Sequence, residues 1–410
     1  MKMSHLFVQP QKDAGSGAET ANHQLLVQAG FIDQLMAGVY TYLPLGLRVL
    51  ENIRKIVREE VDGIGGQEIH MPALHPSENW KATGAWENVD VLFKLESRTG
   101  KEYALGQSHE EIVVPLMKKF IKSYRDLPRA VYQIQWKFRD ELRAKSGIMR
   151  GREFEMKDMY SFHETQEDFD RFYAEAKQAY LRIFSRLGLI AKVTEASGGS
   201  FSKKISYEFM VLTDAGEDII RYCEQCDFCI NLEIVETNAG ICPKCGSALR
   251  EGKASEVGNI FDLGQRYTEI FDAAYATKEG ERAYPIVGCY GIGITRAMGV
   301  IVEKLHDEKG ILWPETIAPF HVSLVTFDGV EDEAGKIYEE LQRADIEVLW
   351  DDREVSAGNK LADADLIGNP FRVIISKKSL EKGGYEVKRR EEKEGGIIVG
   401  IEDLIKYLQR

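Results

Sequence analysis

No stretch of the 410 residues approaches the roughly 18 to 20 uninterrupted apolar residues that a membrane span needs. The opening MKMSHLFVQPQK also lacks the apolar core of a secretion signal, so the chain is expected in the cytoplasm. Proline is scarce (11) beside ordinary glycine (37), and neither repeats nor low-complexity tracts occur, which excludes fibrous and disordered classes. Positive charge is in deficit: 53 Lys and Arg against 66 Asp and Glu leave −13. That balance argues against indiscriminate attachment to nucleic acid or anionic lipid, while a local basic footprint stays open. Both common phosphate loops are missing. Gly291 and Gly293 form Gly-x-Gly, but Arg296 stands where a dinucleotide fingerprint needs its third glycine, and no Gly-Lys pair precedes Ser or Thr. If ATP is used, arginines must hold its phosphates.

What is present is a globular chain, 44% hydrophobic and 29% charged, long enough for at least two domains. Leu47, Leu50, Ile53, Val57 and Val61 recur at helical spacing over 46–62, with Gly63 as a stop. Over 131–141, Tyr132, Ile134, Trp136 and Phe138 alternate with Gln133, Gln135, Lys137, Arg139 and Glu141, the period of a half-buried strand. A basic, glycine-containing loop follows, and then a second alternating run over 153–162 that reads as the return strand of a hairpin in an antiparallel sheet. Phe169 to Leu187 fits a long scaffold helix closed by Gly188. Trp313, Pro314 and Pro319 break the pattern as a linker would, and beyond them strand-like and helical runs alternate as in a small α/β domain.

Arg139 and Glu141, two residues apart, project to one side of their strand. A guanidinium suits a phosphate oxygen, a carboxylate can accept from an adenine amino group, and Phe154 on the return strand offers a ring face. A salt-bridged surface ribbon explains the same residues. Five of the six cysteines crowd one stretch: Cys223-x2-Cys226 and Cys242-x2-Cys245, with fifteen residues between the pairs, have the spacing of a closed structural zinc site. Cys229 adds a fifth thiol and leaves the register ambiguous, and reduced cysteines without metal are the alternative. Cys289 stands alone.

The run Phe138-Arg139-Asp140-Glu141 through Met149-Arg150-Gly151-Arg152-Glu153-Phe154 to Asp158-Met159-Tyr160-Ser161-Phe162-His163 resembles motif 2 of class II aminoacyl-tRNA synthetases in the bacterial prolyl form. Gly288 to Arg296 resembles motif 3, and the helix at 46–62 with the following Gly65 to Pro72 resembles motif 1, which in the family builds a dimer interface. Residues 348–353 and 362–370 resemble the class IIa anticodon-binding domain. The resemblance covers nearly the whole chain in the right order. It implies an α+β class II synthetase catalytic domain, an antiparallel sheet flanked by helices, over 1–316, with 221–256 a short zinc-ribbon-like insertion where most bacterial prolyl members carry an editing domain. A C-terminal α/β anticodon-binding domain over 317–410 completes the expected fold.

The implied activity is activation of L-proline by ATP with Mg2+ and transfer to tRNA(Pro), by a homodimer without editing in cis; a separate trans-editing protein is then conceivable. By resemblance, Arg139 contacts the α-phosphate and substrate carboxylate, Glu141 and Phe154 hold adenine, Arg296 binds the γ-phosphate and Arg152 assists. Gly291 and Gly293 let the backbone approach substrate. Ser108-His109-Glu110 resembles the family's Thr-His-Glu signature, placing Ser108 and Glu110 on the proline amine, with Asp158, Cys289 and Gly291 completing the pocket; His109 is expected to orient Glu110. Cys223, Cys226, Cys242 and Cys245 are the expected zinc ligands, with Cys229 the alternative. The segment 198–209 departs from a family Gly-Gly-Ser…Ser-His-Glu-Phe stretch in length and in carrying Tyr207 for His, and Ala85 replaces an expected arginine. Lys377, Lys378, Lys382, Lys388, Arg389 and Arg390 form the densest basic grouping for tRNA phosphates. Two rivals are a threonyl relative, whose catalytic zinc needs mixed Cys and His ligands, and a non-catalytic synthetase-like tRNA-binding paralogue, for which intact Arg139, Glu141 and Arg296 have no purpose.

Overall fold

The computed structural model describes residues 1–13, 18–199, 204–235, 240–327, 329–392 and 395–409. Contacts divide the chain into two compact units, one of Met1–Leu35, Tyr40–Ile53 and Ile301–Arg410, the other of Met36–Val39 and Arg54–Val300. The elements that matter are, in chain order, the hairpin β1 (Ile32–Met36) and β2 (Val39–Tyr42), helix α1 (Pro44–Gly63), β3 (Gln67–Glu68), helix α2 (Glu110–Met117), β4 (Arg129–Phe138), β5 (Glu153–His163), helix α3 (Gln166–Arg186), β6 (Lys192–Ala196), β7 (Ser206–Leu212), β8 (Asp218–Cys223), β9 (Cys229–Asn231), β10 (Leu249–Gly264), β11 (Ile286–Gly293) and helix α4 (Ile294–Lys304).

Nine strands of the second unit form one sheet in the order β7-β6-β9-β8-β10-β11-β5-β4-β3. All its pairings are antiparallel except β6 with β9 and β3 with β4. The expected hairpin of β4 and β5 is there, pairing Arg129 with Phe162 through Phe138 with Glu153. Helix α3 begins at Thr165, whose hydroxyl accepts from Asp168 N, and lays Ala176, Tyr180, Ile183 and Phe184 on the core. Gly188, at φ +77°, ends it. Helix α1 runs to Gly63, so the turn falls at Gly65, φ +87°.

The reading of β4 as half buried needs correction. Its polar residues Gln133 and Lys137 are fully buried, and the apolar Ile134, Trp136 and Phe138 are only partly so. Alternation reports which side chains share a face, not which face meets water. Here the polar face is covered because it is hydrogen-bonded to other buried polar groups.

In the first unit, β12 (Val322–Thr326), helix α5 (Glu331–Arg343), β13 (Val348–Asp351), helix α6 (Ala357–Ile367), β14 (Phe371–Ile375), β15 (Tyr385–Arg389) and β16 (Ile397–Val399) follow in sequence. They build a five-stranded sheet in the order β13-β12-β14-β15-β16, with β12 parallel to both neighbours. Its core joins Val322, Leu324, Ile337, Leu341, Phe371 and Leu404. The expected linker is not a solvated one. Trp313 is buried with its Nε1 donating to Ile367 O at 3.0 Å and its ring 5.3 Å from that of Phe31, and Ile317 and Ala318 are buried too. The prolines break helical periodicity there, while the apolar side chains between them pack as core.

Candidate active site

Ser108, His109 and Glu110 sit at the start of α2 and close against the β4, β5 and β11 face. Glu110 is fully buried. Cys289 Sγ donates to its Oε1 at 3.0 Å and the Ser108 hydroxyl donates to its Oε2. Burial raises the Glu110 carboxyl above its usual range and the charge of Asp158 adds to this, against the Cys289 and Ser108 hydrogen bonds. Burial likewise holds Cys289 as a thiol, with Glu110 reinforcing it.

Behind this pair lies a polar network of which sequence reasoning singled out only Asp158 and His109. Asp158 Oδ2 accepts from Gln133 Nε2 and from Tyr160 OH, each at 3.0 Å, and Oδ1 lies 2.8 Å from Lys137 Nζ. Tyr160 OH in turn accepts from His109 N at 3.0 Å. Lys137 Nζ reaches His109 Nδ1 at 2.6 Å, while His109 Nε2 faces Pro72 O at 3.1 Å. Burial and the charge of Lys137 hold His109 well below its usual pKa, so the ring is neutral, accepting at Nδ1 and donating from Nε2. His109 is thus bound to the network rather than to Glu110 directly.

Arg139, just past β4, lies with its guanidinium 5.1 Å over the Phe154 ring. Its Nε is buried without a partner, and burial with the like charge of Arg296 lowers its pKa, while Glu256, Glu141 and Glu110 oppose that. A charged donor left unsatisfied in this way is poised for an anionic ligand. Glu141 Oε2 accepts from Arg150 Nε and Nη2 at 3.1 and 2.7 Å. Arg152 Nε donates to Glu141 O, and its Nη1 to Ala37 O at 2.9 Å. The tip between β1 and β2 therefore holds the loop between β4 and β5. Gly38 at φ +78° makes this possible, since a Cβ there would stand 2.6 Å from Ala144 Cβ and 2.8 Å from Arg152 N.

Arg296 donates from Nε to Met149 O at 2.8 Å and from Nη1 to Glu256 O at 3.0 Å. Around it Glu256, Asp218 and Glu208 crowd one another: burial and the Glu256 charge push Asp218 up to about 6 and Glu208 up to about 8. These carboxylates were missed, because nothing in their local sequence marks them. At Gly291 a Cβ would come 2.7 Å from Asn259 Oδ1, so a side chain there would have to displace the Asn259 amide.

The Sγ atoms of Cys223, Cys226, Cys242 and Cys245 all lie within 4.8 Å of one another, with Cys223–Cys245 and Cys226–Cys242 each at 3.5 Å. Ligands at about 2.3 Å around a tetrahedral ion are separated by a little under 4 Å, so the set fits zinc. Cys229 stands outside it, buried on β9 and accepting from Thr194 Oγ1 at 3.1 Å. Ser200, Phe201, Ser202 and Lys203 of the 198–209 segment, and 236–239 of the 221–256 insertion, lie outside the described residues. Tyr207 carries Lys177 Nζ 3.5 Å over its ring, and Ala85 opens a short helix. The basic grouping of the C-terminal region is in part structural: Arg390 is buried on Asp307 at 2.8 and 2.7 Å, Arg389 pairs with Glu315, and Lys388 Nζ donates to Glu392 O. Lys377, Lys378 and Lys382 remain exposed.

A large, mostly antiparallel sheet with half-buried arginines beside it, followed by a small α/β sheet, is the architecture of a class II aminoacyl-tRNA synthetase. Residues 93–305 match the family model described as tRNA synthetase class II core domain (G, H, P, S and T), and 317–410 match that described as Anticodon binding domain. A relative named proline–tRNA ligase from Caldicellulosiruptor saccharolyticus is 34% identical, covering 100% of this chain and 98% of its own. Another of that name from Anaplasma marginale is 39% identical over 95% of this chain and 96% of its own. A solved structure, Giardia lamblia prolyl-tRNA synthetase in complex with prolyl-adenylate, superposes with a TM-score of 0.79 at 20% identity, covering 97% of this chain and 77% of that one. The chain belongs to the proline–tRNA ligase family.

Proposed function

We propose that the pocket of Ser108, Glu110 and Cys289 receives L-proline, and that the protein activates it with ATP to prolyl-adenylate and transfers the prolyl group to tRNA(Pro). The observation that carries this reading is the buried Glu110 carboxylate, with Cys289 and Ser108 donating to it and Arg139, whose buried Nε has no partner, acting on the same site. Proline's secondary ammonium has two N–H donors; the free lone pairs of Glu110 and the Ser108 oxygen accept them. Its carboxylate then faces Arg139, which also meets the α-phosphate that the carboxylate attacks in line. No general base is needed, because the attacking carboxylate is already ionised.

Phe154 and Glu141 hold adenine, Arg296 meets the γ-phosphate, and Arg152 steadies the loop that carries Glu141. Gly291 and Gly293 keep the substrate side of β11 clear of side chains. Mg2+ would supply positive charge to the polyphosphate, and Asp218, whose carboxyl is raised by burial and by the Glu256 charge, is with Glu256 the carboxylate suited to hold it. Asp158, which accepts from Gln133 and Tyr160 at Oδ2 and faces Lys137 at Oδ1, shapes the pocket through this network.

Catalytic residues fall within 1–316 and tRNA is read by 317–410, with 221–256 as a structural zinc knuckle. The cytoplasm, where thiols stay reduced, suits the four metal-ligating cysteines. A homodimer is supported by the edge strand β3 and a cleft of about 280 Å³ beside it, lined by Ile69, Val131 and the 66% exposed Phe120; the solution mass checks it. No helix among the described residues is long and apolar enough to cross a membrane. Amino-acid-dependent ATP–pyrophosphate exchange tests the activity: proline should support the fastest exchange among proline, alanine, cysteine and threonine, and a preference for another amino acid overturns the assignment of Ser108 and Glu110.

A further inference from the structure

Two buried carboxylates and one buried ammonium surround the amine pocket. Glu110 has oxygen lone pairs to spare after its bonds from Ser108 and Cys289. Asp158 is already engaged: Gln133 and Tyr160 donate to its Oδ2, and its Oδ1 lies 2.8 Å from Lys137 Nζ. Lys137 is itself fully buried, with the Asp158 carboxylate and the His109 ring at hydrogen-bond distance. Burial lowers the pKa of Lys137 and the Asp158 carboxylate beside it opposes that, so each partner favours the charged form of the other. With Lys137 and Asp158 cancelling, the pocket carries one negative charge, on Glu110. That is the complement of one substrate ammonium.

We propose that Lys137 is a positioning residue that sets the net charge of the amine pocket, cancelling Asp158 so that Glu110 alone answers the cationic amine of the substrate. This rests on the proline-binding reading above. Without Lys137 two carboxylates share a buried site, and one of them takes up a proton as like charges in a shared site do. A proton that Glu110 holds for part of the time removes the acceptor that the ammonium needs, so the substrate amine is bound less well at the acid end.

The other ionisable groups facing the pair do not supply the missing charge. His75 is held at about 4 by burial, and burial is also the largest reason His109 is neutral, ahead of Lys137, His75 and His70. Cys289, Tyr160 and Tyr267 are pushed well above their usual values by burial and stay protonated. Glu111 turns to Thr83, and its carboxyl is raised to about 8 by burial and by Glu110. Lys157, lowered to about 7 by burial, gives its ammonium to Tyr180 OH and Tyr290 O instead. Arg139 answers the substrate carboxylate.

The test is proline-dependent pyrophosphate exchange across pH in the full-length protein, for wild type, Lys137→Met and Asp158→Asn. The acid limb of kcat/KM for proline reports ionisation of Glu110. Lys137→Met should raise KM for proline by about tenfold, leave KM for ATP within about twofold, and move the acid limb to higher pH. Asp158→Asn, which removes a negative charge instead, should move that limb to lower pH. A merely structural role would shift both variants the same way or neither, and either result overturns the proposal. The double variant Lys137→Met/Asp158→Asn restores the charge balance and should bind proline better than Lys137→Met alone; no improvement also counts against it. If Lys137→Met does not fold by circular dichroism, Asp158→Asn still decides, and an unmoved or raised limb is fatal. Wild-type protein that fails to exchange with proline removes the proline reading itself, whereas wild-type exchange with unmoved variants removes only the role of Lys137.

Discussion

Glu111 and Glu110 are adjacent in sequence and differ in task. Glu110 has the pocket's donors, whereas Glu111 is held by Thr83 Oγ1 at 3.0 Å and raised to about 8 by burial and by Glu110. In the unfolded chain it titrates near about 4.3. Between those values the folded chain keeps a proton that the unfolded chain has lost, so this group's contribution is fully present below the lower value and is lost as pH rises toward the upper one. Glu111→Gln should therefore flatten part of the fall in Tm between about pH 6 and about pH 8.5, by removing one of the groups that cause it. Calorimetry at the two pH values checks this, and an undiminished fall refutes it. At this scale the sequence was legible where residue identity is chemistry: Ser108, Glu110, Arg139 and Arg296 could be proposed from motif resemblance. Lys137, Gln133 and Tyr160 could not, because their importance lies in burial against Asp158 and His109, and alternation along β4 carries no information about burial.

The element best read from sequence was the cysteine knuckle, since two Cys-x2-Cys pairs at the right separation constrain the fold around them. Spacing left one ambiguity, the register of Cys229, and the strand pairing resolves it: Cys229 opposes Tyr222 on β8 and its thiol turns to Thr194, away from the four. Elemental analysis should find one zinc per chain. Cys226→Ser should abolish that content and lower Tm, whereas Cys229→Ser should keep the zinc; equal loss in both variants refutes the ligand set. The β1–β2 tip shows the opposite case. Gly38 is one of 37 glycines, and its need for glycine comes from Ala144 and Arg152, more than a hundred residues away in the chain. Local sequence signals report turns and caps, but a close approach between distant segments exists only after folding. The same holds for Glu256 and Asp218, which come together only when β8 and β10 lie side by side.

For the whole molecule, the order of elements and the two sheets were legible because amphipathic periods and motif order run along the chain, but the packing of the segment around Trp313 was not. Its prolines interrupt periodicity, and interruption reads as a linker whether or not the residues between are buried. Length is informative in another way. The alignment with the Caldicellulosiruptor saccharolyticus relative runs over 561 positions against 410 residues here, whereas that with the Anaplasma marginale relative takes only 412. A long segment of the first relative has no counterpart in this chain, as expected if the 221–256 knuckle stands in place of an editing domain. A pocket that accepts proline cannot strongly exclude a smaller amino acid, because each missing methylene is worth only about ten- to two-hundredfold in discrimination. Alanine should therefore support slow but measurable exchange, and alanyl-tRNA(Pro) made by or added to this enzyme should persist for as long as it does in buffer. Accelerated hydrolysis by the purified protein would mean that editing resides somewhere in these 410 residues. Persistence, together with alanine exchange, would make correction of the mischarged tRNA the work of a separate hydrolase.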